Sequence, residues 1–223
     1  MSNFSDWTIA KLDERFNLTQ VDTLPALTSW LESKADILPS EQELLTDLRH
    51  TLTDNVLHWN EQELSLHFIG PFLRTINFTQ RKFNIFAERY LVGTVDGETL
   101  SGYPDGLIAS GWREPKVPYF YLQEWNTYPP FIPPESGGTK EGDSDPVGQC
   151  LAAMLVAQEL NKNQHPIYGC YILGRDWFFM VLQGRQYAIS EVYAATKEDI
   201  FGIFRIMKGL KVIILAWIAE EGV

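Results

Sequence analysis

Apolar side chains at Leu64, Phe68, Phe72 and Ile76 fall on one stripe and predict an amphipathic helix, with Asn60 as its N-cap and Glu61 and Glu63 in the first turn. The period then shortens. Phe83 to Val95 reads as an extended run, with Phe86, Tyr90, Leu91 and Val92, closed by the two-residue hairpin signal Asp96-Gly97. The next strand leads into Tyr103-Pro104-Asp105-Gly106 and continues through Leu107, Ile108 and Ala109. After a turn over Ser110 to Pro118 a third strand, Val117 to Trp125, alternates and is rich in aromatics.

Periodicity stops after Asn126. Residues 127–144, TYPPFIPPESGGTKEGDS, are rich in proline and glycine and predict a loop, of the kind that serves as a lid or a partner-binding segment or is a plain insertion. Asp145-Pro146 restarts order as N-cap and first helical residue of Val147 to Leu160, a helix apolar on nearly every side and therefore buried. Pro166 to Leu173 reads as a strand buried on both faces, and Trp177 to Ser190 as strands around Gln183-Gly184. Lys197 to Ala219 is an apolar helix whose excess of apolar residues suits deep packing or a homodimer interface; Lys208 and Lys211 interrupt it and argue against a membrane span. Residues 1–58 predict a helical extension covering the main fold, from the spacing of Leu27, Trp30 and Leu31 and from Ser40 ahead of Leu44, Leu45 and Leu48.

The order is thus helix, three antiparallel strands, buried helix, strand, further strands and helix: one α/β domain over residues 1–223, long enough to bury roughly 70% of its unfolded surface. The net charge of −11 counts against a protein that grips long duplexes through phosphate contacts, though not against a local nucleic-acid site. Cys150 and Cys170 form no disulfide framework and are expected as free thiols. The start, MSNFSDWTIAKLDERF, has acidic residues and no apolar run, so a cytoplasmic chain without a secretory leader is expected.

Chemistry concentrates on two strands. In an antiparallel pairing Asp105 and Glu124 come close on a buried sheet, and two carboxylates there call for a positive partner, usually a divalent cation. Glu61 shares the stripe of Leu64, Phe68 and Phe72, whereas Glu63 lies with Gly70 and faces solvent; both also suit the helix macrodipole. Glu88 and Arg89, on opposite faces of their strand, read best as surface residues. His50, His58, His67 and His165 have no metal-ligand spacing, and neither a Gly-x-Ser-x-Gly elbow nor a phosphate loop is present.

Pro104-Asp105 on one strand and Glu124-x-Asn126 on the next resemble the signature of the PD-(D/E)XK nuclease superfamily, and the element order from Asn60 to Gln183 resembles its α-β-β-β-α-β core. More narrowly, the chain is similar to bacterial nuclease-like proteins of the style NExEL…GxPDG…E…DPxGQ…AAMLVAQELN…PIYGCY. The resemblance implies a restriction-endonuclease-like fold and a Mg²⁺- or Mn²⁺-dependent phosphodiester hydrolase. Asp105 and Glu124 would be metal ligands with a backbone carbonyl such as that of Gln123, Glu61 an added acidic residue, and Gln149 a glutamine facing the site. The family's lysine is Asn126 here, which leaves two readings open: a nuclease of low activity with a relocated cation, such as Lys140 or Lys116, or a catalytically silent nuclease fold used for binding or regulation. A third reading, an acid and base pair acting on a sugar, uses Asp105 and Glu124 without a lysine.

Overall fold

The structure, a computed structural model, describes residues 1–127 and 145–221. The chain begins with β1 (Ser2–Asn3), a 3₁₀ turn (Phe4–Asp6), α1 (Ile9–Phe16) and β2 (Thr19–Gln20), followed by α2 (Pro25–Leu31) and α3 (Pro39–Asn55). The amphipathic stripe becomes α4 (Glu61–Leu64) and α5 (Gly70–Ile76), joined by a π-turn over Ser65–Ile69. Then come β3 (Phe83–Ala87), β4 (Leu91–Val95), β5 (Glu98–Gly102), β6 (Gly106–Ser110) and β7 (Lys116–Asn126). After the interval of residues 128–144, which lies outside the description together with Lys140, follow α6 (Pro146–Leu160), β8 (Ile167–Leu173), β9 (Asp176–Gln183), β10 (Gln186–Ile189), β11 (Tyr193–Ala194) and α7 (Asp199–Glu221).

A mixed sheet in the order β2-β10-β9-β8-β7-β6-β3 forms the middle layer, with β7 and β8 parallel across the α6 connection and their outer neighbours β6 and β9 antiparallel to them. Its two faces bury separate cores. On one, Trp30, Phe68, Phe72, Trp177 and Phe204 join α2, α3, the 61–76 helix and α7 to the sheet; on the other, Phe4, Leu12, Phe16, Leu107 and Met154 gather around α6. As its apolar composition predicts, α6 is buried from Cys150 to Gln158.

Two readings of the sequence change here. The run from Phe83 to Val95 is not one strand but two, and the strand through Pro104-Asp105 is likewise split. β3 and β6 stay in the main sheet, while β4 and β5 bend away and pair with β1 in a small second sheet over α6. The close approach needs glycine: a Cβ on Gly93 of β4 would lie 2.8 Å from Val156, and one on Gly169 of β8, below the helix, 2.5 Å from the Met154 sulfur. The amino-terminal segment is not helical throughout either. β1 runs parallel to β5 and β2 parallel to β10, each extending a sheet edge, and Phe4, Leu12 and Phe16 are core residues.

Asp145 precedes α6 as expected, with Pro146 at the first turn, but its side chain does not cap that helix. Its Oδ2 instead accepts a hydrogen bond from the Ile9 N–H at 3.2 Å, tying the start of α1 to the start of α6. α7 turns most of its apolar side chains into the core and leaves Val212 and Leu215 exposed; Lys208 Nζ lies 3.0 Å from Glu41 Oε2, and Lys211 donates to the Ile76 carbonyl. Cys150 and Cys170 are free and buried. Among the described residues no helix is long and apolar enough to cross a membrane.

Candidate functional site

The site starts from a turn. Asp96 and Gly97 both have positive φ, 48° and 80°, the backbone that a two-residue hairpin loop requires. From that turn the register runs without insertion: Val95 opposite Glu98, Leu91 opposite Gly102 and, past the bend into the main sheet, Ala87 opposite Gly106 and Phe83 opposite Ser110. The bend itself therefore sets Glu88 opposite Asp105. Glu88, with φ of 49°, donates its backbone N–H to the Asp105 carbonyl at 3.3 Å. On the other side Gly106 faces Gln123, and one step further along the ladder brings Asp105 beside Glu124. Three acidic residues thus stand in a row across the ends of three neighbouring strands.

Asp105 and Glu124 are held close. The Asp105 Oδ2 accepts the Trp125 backbone N–H at 2.7 Å, and the two carboxyls lie within hydrogen-bonding reach of each other. Glu124 is buried, and removal from water foremost, then the neighbouring Asp105, drives its pKa well above the carboxylate range. Burial likewise pushes Asp105 up to about 6, against the lowering effect of the Trp125 N–H and with Glu61 and Glu88 adding repulsion. Among the described residues, the leading charges acting on the two groups are negative: Glu61 and Glu88 on Asp105, Asp105 and Glu61 on Glu124. Such a pair retains a proton near neutral pH, in the place that a cation would otherwise take.

An open groove of about 720 Å³ lies in front, bounded by Glu61, Leu66, Arg74, Glu88, Asp105 and Trp125. A narrower slot of about 280 Å³ continues from it between α5 and the β3–β6 pair, sharing Ser65, Gly70, Arg74, Asp105 and Trp125 with the groove. Ser65 and Gly70 belong to the π-turn and its end, so the irregular part of the helix forms the wall; π-turns of this kind recur at functional sites.

The predicted residues separate. Glu61 is exposed on the groove rim, near enough for its charge to act on both carboxyls. Glu63 is structural: its Oε2 accepts the Asn60 N–H while Asn60 Oδ1 accepts the Glu63 N–H, both at 2.9 Å, a capping box. Asn126 follows Glu124 by two positions and so shares its face of β7, half-buried, with its carbonyl accepting the Gly174 N–H at 2.8 Å. Gln149 sits half-buried in the first turn of α6, beside Cys150, whose thiol approaches the Leu122 and Cys170 carbonyls; no hydrogen bond joins Gln149 to either carboxyl. Lys116 begins β7, about 26 Å of extended chain before Glu124, and does not supply the missing charge. Lys140 lies outside the described residues.

Arg74 and Trp125 are the site residues that the sequence reading passed over, and Glu88, read as a surface residue, is exposed as expected but on the rim of the groove. For Glu88 the signal was there: counting outward from Asp96-Gly97 sets it opposite Asp105. Arg74 and Trp125 carry no signature of their own. Among the described residues, no group of three or more His, Cys, Asp or Glu side chains is gathered closely enough to hold a metal unaided, so the acids meet as a pair with Glu61 and Glu88 at the rim. His67 and His165 stack instead on Trp59 and Trp217. Compared with known proteins, the chain matches no family model and no curated protein.

Proposed function

We propose that the Asp105–Glu124 pair is the divalent-cation site of a phosphodiester hydrolase acting on nucleic acid, on a restriction-endonuclease-like α-β-β-β-α-β core. The observation that carries this reading is a buried carboxyl pair, Asp105 beside Glu124 on neighbouring strands, with the further carboxylates Glu61 and Glu88 acting on it. Hard carboxylate oxygens suit Mg²⁺ or Mn²⁺, and Asp105 and Glu124 would hold the ion, with Glu61 reaching it from the rim directly or through water. Gln123, ladder-paired on both sides in mid-sheet, is the less suitable carbonyl donor. When bound, such an ion polarises a phosphate oxygen and lowers the pKa of a water. Glu88 adds negative charge next to Asp105, and Trp125 fixes Asp105 through its N–H.

Asn126, on the Glu124 face, can hydrogen-bond a water or a phosphate oxygen but carries no charge. Losing a positioned cation there lowers the rate by about 10²–10⁴-fold. That loss favours the second reading, a silent nuclease fold that binds metal or nucleic acid without cutting. A sugar hydrolase fits poorly, because its two carboxyls stand roughly 5–10 Å apart, farther than hydrogen-bonding reach. A homodimer through α7 would rest on Val212 and Leu215 alone among its exposed large apolar residues.

Calorimetric titration of Mg²⁺ and Mn²⁺ into the protein and into Asp105→Ala, with plasmid nicking on the same samples, tests the proposal. The expected result is binding lost in the variant, accompanied by proton release, because the retained proton must leave. Nicking that rises in Asn126→Lys supports the hydrolase; binding without nicking in either protein supports the silent fold. Identical heats for the wild-type protein and Asp105→Ala would overturn the metal site.

A further inference from the structure

The slot beside the acidic pair has a composition of its own. Ile69, Leu73, Phe78 and Ile85 line it, Trp125 and Gly106 stand at its acidic end, and Arg74 is the one cation on its wall among the described residues. Gly106 leaves room there: a Cβ would sit 3.4 Å from the Trp125 ring. At about 280 Å³ the slot lies at the lower end of ligand-site volumes and suits a single planar ring system, apolar on its faces. Two positions beyond Glu88 and Asp105 on the same hairpin, Tyr90 and Tyr103 form an exposed pair with ring centroids 5.2 Å apart, their side chains 47% and 63% exposed. Neither tyrosine lines the groove or the slot; the pair continues the hairpin beyond the acidic row as an exposed aromatic surface, while Leu91, Val95 and Leu100 of the same hairpin are buried.

The charges decide which ligand these surfaces suit. The chain is acidic at −11, Glu61, Glu88 and Asp105 rim the groove, and among the described residues a single arginine lines it, so a duplex gains little from phosphate contacts with them. Aromatic stacking needs no such charge and contributes about 1–3 kcal/mol per base, but only to a base whose face is free. We infer that the slot takes one unpaired nucleobase, with Arg74 on its phosphate and the Tyr90–Tyr103 pair under a neighbouring base, so that the ligand is single-stranded nucleic acid. The inference deepens the hydrolase reading and rests on it for what is cut, while what is bound stands on the slot.

Fluorescence anisotropy with labelled oligothymidine, oligouridine and a dA·dT duplex tests it, in the Glu124→Gln background so that binding is read without cleavage. Single strands should bind at least tenfold tighter than the duplex, and the two single strands separate DNA from RNA as the preferred form. Ala87→Phe, which fills the slot from an exposed position, and Tyr103→Ala should each weaken single-strand binding about tenfold and leave duplex binding unchanged. Should Ala87→Phe fold poorly by thermal unfolding, the exposed Arg74→Ala replaces it, with single-strand binding expected to weaken about tenfold. Duplex binding as tight as single-strand binding, or no change in the folded variants, overturns the slot. Oligothymidine bound in a protein that neither nicks plasmid nor binds Mg²⁺ keeps the slot and removes the hydrolase; nicking with equal duplex and single-strand affinity does the reverse.

Discussion

A carboxyl that keeps its proton to about pH 6 makes folding depend on pH in an uncommon direction. Asp105 rises from 3.8 unfolded to about 6 folded, so between those values the folded chain binds more protons than the unfolded one, and stability falls as pH rises. Glu124, pushed further by deeper burial, extends the fall towards neutrality. By neutral pH the shift of Asp105 alone costs stability on the order of 3 kcal/mol, and Glu124 adds to it in the same direction. Thermal unfolding at about pH 5 and about pH 8 should show this slope in the wild-type protein and a flatter one in Asp105→Asn and Glu124→Gln, each with a higher midpoint at the alkaline end. An unchanged slope in both variants would mean that the pair is not the titrating element. The sequence revealed the two carboxyls and their partnership; it also held the capping box, since with Asn60 as N-cap Glu63 is the third helical residue, the position whose carboxylate returns to the Asn60 N–H, whereas the reading left Glu63 to solvent.

The hairpin is the element that turns residues into a site. Asp96-Gly97 fixes the register of both its halves, so a change in the turn is felt at Asp105. Gly97 has φ of 80° and nothing within 4 Å of where a Cβ would lie, so Gly97→Val strains the backbone without a clash. It should destabilise the protein by about 1–2 kcal/mol and also weaken Mg²⁺ binding, read by calorimetry, whereas a turn with no influence on the site would change stability alone. The turn was legible in the chain, and with it the pairing of Glu88 and Asp105. The bend was not: Arg89 and Tyr90 continue an extended pattern, and the strands leave the main sheet because β4 finds α6 through Gly93, a contact with a helix more than fifty residues downstream. A longer separation hid the role of Asp145, which serves α1 across 136 residues. β1 and β2, two residues each, are too short to show any period.

For the molecule as a whole, the amino-terminal segment belongs to the fold, reaching both sheet edges and both cores, and the surface charge leaves binding to shape and stacking more than to long-range attraction. α6 draws these parts together. The main sheet lies under it, the β4–β5 hairpin over it, and the first 3₁₀ turn and α1 beside it. No local opening uncovers such a helix, so its backbone amides from Cys150 to Gln158 should exchange with deuterium only through unfolding of the entire chain, as slowly as those of β8. Mass spectrometry would show the contrary as early labelling of α6 while β8 stays protected. The cover over α6 is the hairpin that also carries Glu88 and Asp105, so any motion that lifts the cover from the helix also pulls on the acidic row.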